Sequence, residues 1–218
     1  MEHAGKFYLG HLWKVPVYVG WEAAILLFFL YRTSAKLPAD QMLVVITAAL
    51  LTIFLHEMGH ALVARTVGMG GISITISAMG GYCAYQPEPP PGRKILITMS
   101  GPLTNFALAG LSWLCLYYHI FAVDLVDVFV RAMLYWNLLL GIFNSIPLYP
   151  LDGGQIFHAC AEAVTHSRPK ANRAALIMSV IAAFGVVGWN AAQNHGQPDM
   201  MVVGFMLFLL FTAFQFLR

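Results

Sequence analysis

The sequence predicts an all-α polytopic membrane protein of about six transmembrane helices, with a small membrane-associated β-hairpin after the second helix. Three observations predict it. The 218 residues are 59% hydrophobic and only 10% charged, with a mean hydropathy of +0.71, whereas an ordinary soluble domain is about 25% charged. Apolar stretches recur along the chain, separated by short segments rich in Gly, Pro and charge. One of those stretches carries three titratable residues in five positions, His56-Glu57-Met58-Gly59-His60, and ionisable groups inside a membrane helix mark a function by default.

The first fifteen residues are short and mixed, with Lys6 and Lys14, and no small-residue cleavage site follows the first apolar run, which argues against a removed signal peptide. Span one is read at 17–31, with Glu22 either hydrated near the interface or facing a polar interior. The segment 32–40, with Lys36 and Pro38, leads tightly into span two, 41–65. At 1.5 Å of rise per residue its first 24 or so residues run roughly 36 Å, enough to cross a bilayer. Residues i and i+4 of a helix share a face, so His56 and His60 can offer imidazole nitrogens to one metal ion with Glu57 beside them, the zinc-hydrolase arrangement.

Gly68 to Gly71 ends that helix, and the pattern changes. Ile72, Ile74 and Ile76 alternate with Ser73, Thr75 and Ser77, the period-two signature of a strand. Gly80 and Gly81 are read as the turn into a second strand, 82–85, followed by the stiff loop 86–92 and a basic membrane boundary at Arg93 and Lys94. Span three, 95–120, contains Ser100-Gly101-Pro102-Leu103-Thr104-Asn105. Pro and Gly suit a packed interior better than a lipid face. Asn105 is therefore expected to point inward, either as an interhelical hydrogen bond or as part of a site. An acidic loop with Asp124 and Asp127 precedes span four, 128–143.

Span four ends in Asn144-Ser145-Ile146-Pro147-Leu148-Tyr149-Pro150-Leu151-Asp152-Gly153-Gly154. Two prolines and two glycines rule out a regular helix, and irregular backbone at membrane depth is tolerated where it lines a site or is covered by protein. Asp152 is the natural third metal ligand, with an N-cap of the next helix as its alternative role. His158 and Glu162, also spaced i and i+4, form a rival ligand pair. A basic linker around 168–173 leads to spans five and six, 174–189 and 200–216, read as peripheral scaffold. Cys83, Cys115 and Cys160 are too few and too scattered for a disulfide framework or a structural zinc site. The net charge of +2 and scattered Lys and Arg argue against a nucleic-acid partner.

Six spans put Lys6, Lys14, Arg65, Arg93, Lys94, Arg168, Lys170, Arg173 and Arg218 on one side, nine of the 12 Lys and Arg residues. The positive-inside bias then places both termini in the cytosol, with a prokaryotic inner membrane as the default. Spans two and four run in the same direction, so His56, His60 and Asp152 arrive at one depth.

Taken in order, HEMGH in a spanning helix, the strand pair with Met79-Gly80-Gly81, SGPLTN, and N-x-x-P-x-x-P-L-D-G-G resemble the site-2 protease family of intramembrane zinc metalloproteases. The resemblance covers about residues 42–165, the metal-site core of a single membrane-embedded protease domain over 1–218. It implies that His56, His60 and Asp152 bind one zinc ion per chain and that Glu57 is the general base. It also implies that the hairpin dips into the membrane and holds a substrate strand near Gly80 and Gly81, with Asn105 and Asn144 near the substrate backbone. The chain leaves no room for a PDZ domain or an appended nucleotide-sensing domain, so a minimal member is expected. Substrate choice, any regulatory membrane or soluble partner, and oligomeric state are left open.

The expected activity is therefore zinc-dependent endopeptidase cleavage of a transmembrane segment of another protein within the bilayer, as in regulated intramembrane proteolysis. A metal-binding membrane protein or divalent-metal transporter is the alternative. Glu57 separates the two, because its position suits water activation but is not needed for coordination, and the outer halves of spans two, three and four are too apolar for a transit path. An inactive binding scaffold fits poorly with a complete ligand set and base.

Overall fold

The computed structural model describes residues 5–120 and 123–218. They fall into two compact units, one comprising the chain up to Glu88 with Ser100–Gly141, the other Pro89–Met99 with Ile142–Arg218.

The first unit begins with strands β1 (Lys6–Leu12) and β2 (Val15–Gly20), then helices α1 (Ala23–Ser34) and α2 (Ala39–Thr66). Strands β3 (Gly70–Ser77) and β4 (Gly80–Gln86) follow. The expected hairpin is thus present, but inside a four-stranded sheet of order β1-β2-β3-β4, with β2 and β3 parallel and both outer pairs antiparallel. The Ile side of β3 packs on α2: fully buried Ile74 joins Val15, Val17, Met58 and Ala61, with Ile72, Ile76 and Cys83 alongside. Period-two patterning chose this face, and burying it against a helix is what stabilises a small sheet.

The reading of 17–31 as a spanning helix is corrected. Residues 15–20 form a strand, and the helix that follows has only 12 residues, roughly 18 Å, too short to cross a bilayer alone. Val15, Val17 and Val19 are β-branched at alternate positions, and β2 finds its partner far downstream through the Val17–Ile74 pairing. Hydropathy alone cannot register such a partner. Five helices, rather than six, are long and apolar enough to cross a membrane among the described residues: α2, α3 (Pro91–Tyr117), α4 (Asp124–Ser145), α6 (Arg168–Gln193) and α7 (Met200–Leu217). Asp124 and Asp127 lie in the first turn of α4 rather than in a loop, where carboxylates favour the positive end of the helix dipole.

Helix α2 buries one stripe, Ala48, Thr52, His56, His60 and Ala64, with Ala49, Glu57 and Ala61 beside it. Small residues at i, i+4 spacing let neighbours come close. Ala48 meets Ala132 and Met133 of α4. Gly59 is required by α3, since a Cβ there would lie 2.5 Å from Thr104 Oγ1 and 2.9 Å from the Ser100 carbonyl oxygen.

In the second unit, α5 (Asp152–Thr165), α6 and α7 surround the Pro-rich segment. Leu148, fully buried, packs with Ala183, Met206 and Leu209, and Ile146 and Leu151 line the same cluster. The two helices read as peripheral scaffold thus have a specific job here, clasping the irregular backbone. Its amide at Tyr149 donates to the buried Ser179 Oγ of α6 at 2.9 Å, as buried backbone groups require.

Candidate metal centre

His56, Glu57 and His60 are all buried, at 4%, 5% and 7% exposure, so the one-turn spacing of α2 presents three ionisable groups to the protein interior. The two histidine Nε2 atoms stand 3.2 Å apart. Two zinc–nitrogen bonds of about 2.0–2.1 Å at a tetrahedral angle would place their nitrogens roughly 3.3 Å apart, so the pair fits a shared ion. The other nitrogen of His56 is engaged: Nδ1–H donates to Asn105 Oδ1 at 2.5 Å, which leaves Nε2 as the ring's lone-pair donor. Gly101 makes room for both rings, because a Cβ at that position would come within 2.4 Å of His60 Nε2 and 2.8 Å of His56 Cε1. The glycine of SGPLTN is a steric requirement of the imidazole pair.

Glu57 faces the sheet. A Cβ at Gly81 would lie 2.5 Å from Glu57 Cγ and 2.9 Å from Oε1, so β4 passes against the carboxylate because residue 81 has no side chain. Gly80 serves a different need, a backbone φ of +110° with only Ile53 near its Cβ position, a conformation L residues avoid. The glycines therefore open β4, and the turn itself is Ala78-Met79 rather than the Gly80-Gly81 expected. Burial, reinforced by the Glu57 carboxylate, pushes the nearby Cys83 thiol up to about 12, so this cysteine stays protonated and unreactive at neutral pH.

In the other unit, Asp152 is buried at 7% exposure and opens α5. The cap position belongs to Leu151 and carries no side-chain capping bond, so the alternative N-cap role of Asp152 does not apply. Gly153 and Gly154 fit under the preceding backbone, where a Cβ would meet the Ser145 and Ile146 carbonyl oxygens at 2.4 Å and the Tyr149 nitrogen at 2.3 Å, respectively. The rival pair is otherwise occupied: His158 Nε2 lies 2.7 Å from Asn172 Oδ1, and its Nδ1 is 4.0 Å from Glu162. Among the described residues, the side chains that could serve a metal ion are His56 and His60 in the first unit and Asp152 in the second.

Of the two asparagines expected beside substrate, Asn144 is half-buried near the end of α4. Asn105 is fully buried, with its amide oxygen accepting from His56 and its Nδ2 donating to Asn137 Oδ1 at 2.8 Å. That is the interhelical hydrogen bond offered as its alternative role. Sequence reasoning passed over Asn137 and Thr52, although an amide in an apolar helix is the signal that singled out Asn105.

The model of peptidase family M50 matches residues 44–126 and 118–188. The "Putative zinc metalloprotease Rip3" of Mycobacterium tuberculosis is 30% identical over 173 residues, covering 73% of this chain and 42% of that protein. A zinc metalloprotease of Methanocaldococcus jannaschii is 31% identical over 112 residues, covering 50% of this chain and 32% of that one. The chain thus spans less than half the length of these curated relatives. The solved site-2 protease from Methanocaldococcus jannaschii superposes with a TM-score of 0.67 at 21% identity, covering 98% of this chain and 95% of that one. With most of its length matched by the family model, this chain belongs to peptidase family M50, and it shares the fold of a solved site-2 protease.

Proposed function

We propose that this chain is a zinc-dependent intramembrane endopeptidase, one membrane-embedded protease domain that cleaves a transmembrane segment of another protein, as in regulated intramembrane proteolysis. The observation that carries the reading is the His56–His60 pair: two imidazole Nε2 atoms 3.2 Å apart inside an apolar helix bundle, with buried Glu57 one residue along. His56, His60 and Asp152 hold one zinc ion per chain. Two imidazoles and a carboxylate are the donor set of zinc hydrolases, leaving a fourth position open, and relatives bear the name zinc metalloprotease.

Bound zinc supplies Lewis acidity, polarising the scissile carbonyl and lowering the pKa of a water to about 7. Glu57 Oε1 accepts the proton of the attacking water as the C–O bond forms, then returns it to the departing amine nitrogen as the C–N bond breaks. Burial of Glu57 keeps bulk water from competing for that proton. Asn105 holds His56 in register, and Asn144 is the amide that donates to the developing oxyanion.

A substrate helix has its peptide bonds internally satisfied, so the scissile stretch must unwind and find new partners. β4 is an outer strand of the sheet and runs past Glu57 at Gly81. An extended substrate segment pairs with that edge by strand addition, which sets its carbonyls beside the base.

The test compares the parent with Glu57→Gln in detergent, measuring zinc per chain and cleavage of a single-span substrate. Both proteins should bind about one zinc, and only the parent should cut. A Glu57→Gln protein that cuts as fast as the parent would refute the base assignment. A metal-free parent would refute the zinc site. Zinc-dependent ion flux in proteoliposomes without cleavage would favour a transporter instead.

A further inference from the structure

We propose that Asn137 is a positioning residue for His56: acting through Asn105, it sets which imidazole nitrogen carries the proton, with the main-chain carbonyl of Met133 as the fixed reference. The inference deepens the reading of His56 as a zinc ligand and rests on it. Asn137 Nδ2 donates to the Met133 carbonyl at 2.8 Å and to Thr52 Oγ1 at 3.0 Å. Asn137 Oδ1 accepts from Asn105 Nδ2 at 2.8 Å, and Asn105 Oδ1 accepts from His56 Nδ1–H at 2.5 Å. Asn105 and Asn137 are 0% exposed and Thr52 is 1% exposed, so bulk solvent offers these amides no substitute partners.

The direction of the chain follows from its far end. A main-chain carbonyl can only accept, so the atom of Asn137 facing Met133 must be its NH₂. Its oxygen then faces Asn105, which must answer with its own NH₂. The oxygen of Asn105 is left for His56, and an oxygen acceptor there requires a proton on Nδ1. Nε2 is thereby left as the lone pair, and Nε2 is the atom that faces His60 at 3.2 Å. Without the chain, a neutral imidazole divides between two tautomers, and the form protonated on Nε2 cannot bind a metal there. Thr52 supports the same polarity by taking the second hydrogen of Asn137 while pointing its own hydroxyl at Met133 Sδ, 3.7 Å away. Three helices thus commit one amide each, or a hydroxyl, to a single proton position. Gly141 permits the approach, since a Cβ there would sit 3.2 Å from Asn105 Cβ and 3.0 Å from Phe106 Cε1.

Polar contacts between membrane helices also serve simply as glue, and the experiment separates that role from this one. The full chain, labelled with ¹⁵N-histidine and stripped of metal in detergent, is observed by nitrogen NMR, with His56 assigned by loss of its signals in His56→Gln. The parent should show Nδ1 protonated and Nε2 bare. Asn137→Leu should show a mixture, with zinc affinity about 10–100-fold weaker in chelator competition, the usual loss when a ligand's orienting partner is removed. A folded Asn137→Leu protein whose His56 keeps the parental tautomer and affinity overturns the proposal. Should that variant not fold, Asn105→Asp and Asn105→Leu decide. The aspartate retains an acceptor for Nδ1–H and should keep tautomer and affinity, whereas the leucine should lose both; equal behaviour of the two overturns the proposal. If Asn137→Leu shifts the tautomer while even His56→Gln binds zinc like the parent, the control of His56 stands and its assignment as a ligand falls.

Discussion

Gly80 and Gly81 are adjacent and chemically identical, yet the structure uses them for unrelated reasons. The first supplies a positive φ and the second supplies room for Glu57. Their alanine variants should therefore fail differently. Gly81→Ala drives a methyl toward Glu57 Cγ and must displace the carboxylate, so kcat should fall on the order of 100-fold with zinc content unchanged. Gly80→Ala strains the backbone by about 1–3 kcal/mol, which should appear first as a lower melting temperature. Zinc loss in Gly81→Ala equal to the activity loss would contradict this division. The pentapeptide His56–His60 was legible because spacing on a helix is a one-dimensional property. Gly101, which spares both rings a collision, was legible only as a residue permitting close approach, since the sequence does not say what approaches.

At the scale of elements, the irregular segment between α4 and α5 shows how non-helical backbone finds a hydrogen-bond partner on a neighbouring helix. Ser179 accepts the Tyr149 amide and donates to the Ala175 carbonyl, at 2.9 and 2.7 Å, with no exposure of its own. Ser179→Ala removes the acceptor with little change in volume, taking from the Tyr149 amide its bond to Oγ at a cost of about 1–3 kcal/mol. We expect lower thermal stability together with faster zinc loss to a chelator, because Asp152 follows three residues after Tyr149. A variant destabilised to that degree with parental zinc retention would show that the segment does not position the ligand. Helix existence for residues 39–66, 91–117, 124–145, 168–193 and 200–217 was predictable from apolar length, and strand β3 from its isoleucine alternation. β1 and β2 were not, because a strand is stabilised by a partner, and β2, on which β1 pairs, finds its own partner β3 only beyond the two helices α1 and α2.

For the molecule as a whole, the sheet bears on topology. β1 and β2 share it with β3 and β4, which follow α2, so we expect Lys14 on the side of the membrane toward which α2 runs. Five helices from Ala39 onward are long and apolar enough to cross among the described residues, so Arg218 is expected on that same side. The positive-inside bias then predicts both termini in the cytosol, with Lys36 on the opposite side. In a background lacking the three native cysteines, Lys14→Cys and Arg218→Cys should react with an impermeant maleimide only in inverted vesicles, and Lys36→Cys only in intact cells. Reaction of Lys14→Cys and Lys36→Cys from the same side would refute that arrangement. Membrane character, the histidine pair with its glutamate, the Asp-Gly-Gly turn and the family could all be taken from the linear chain, since each depends on composition or on spacing within one element. The mixed sheet, the separate duties of Gly80 and Gly81, and the amide chain from Met133 to His56 were decided by tertiary structure alone. Each is a contact between distant segments, and the strength of a buried contact depends on the partner that folding brings, which no local pattern encodes.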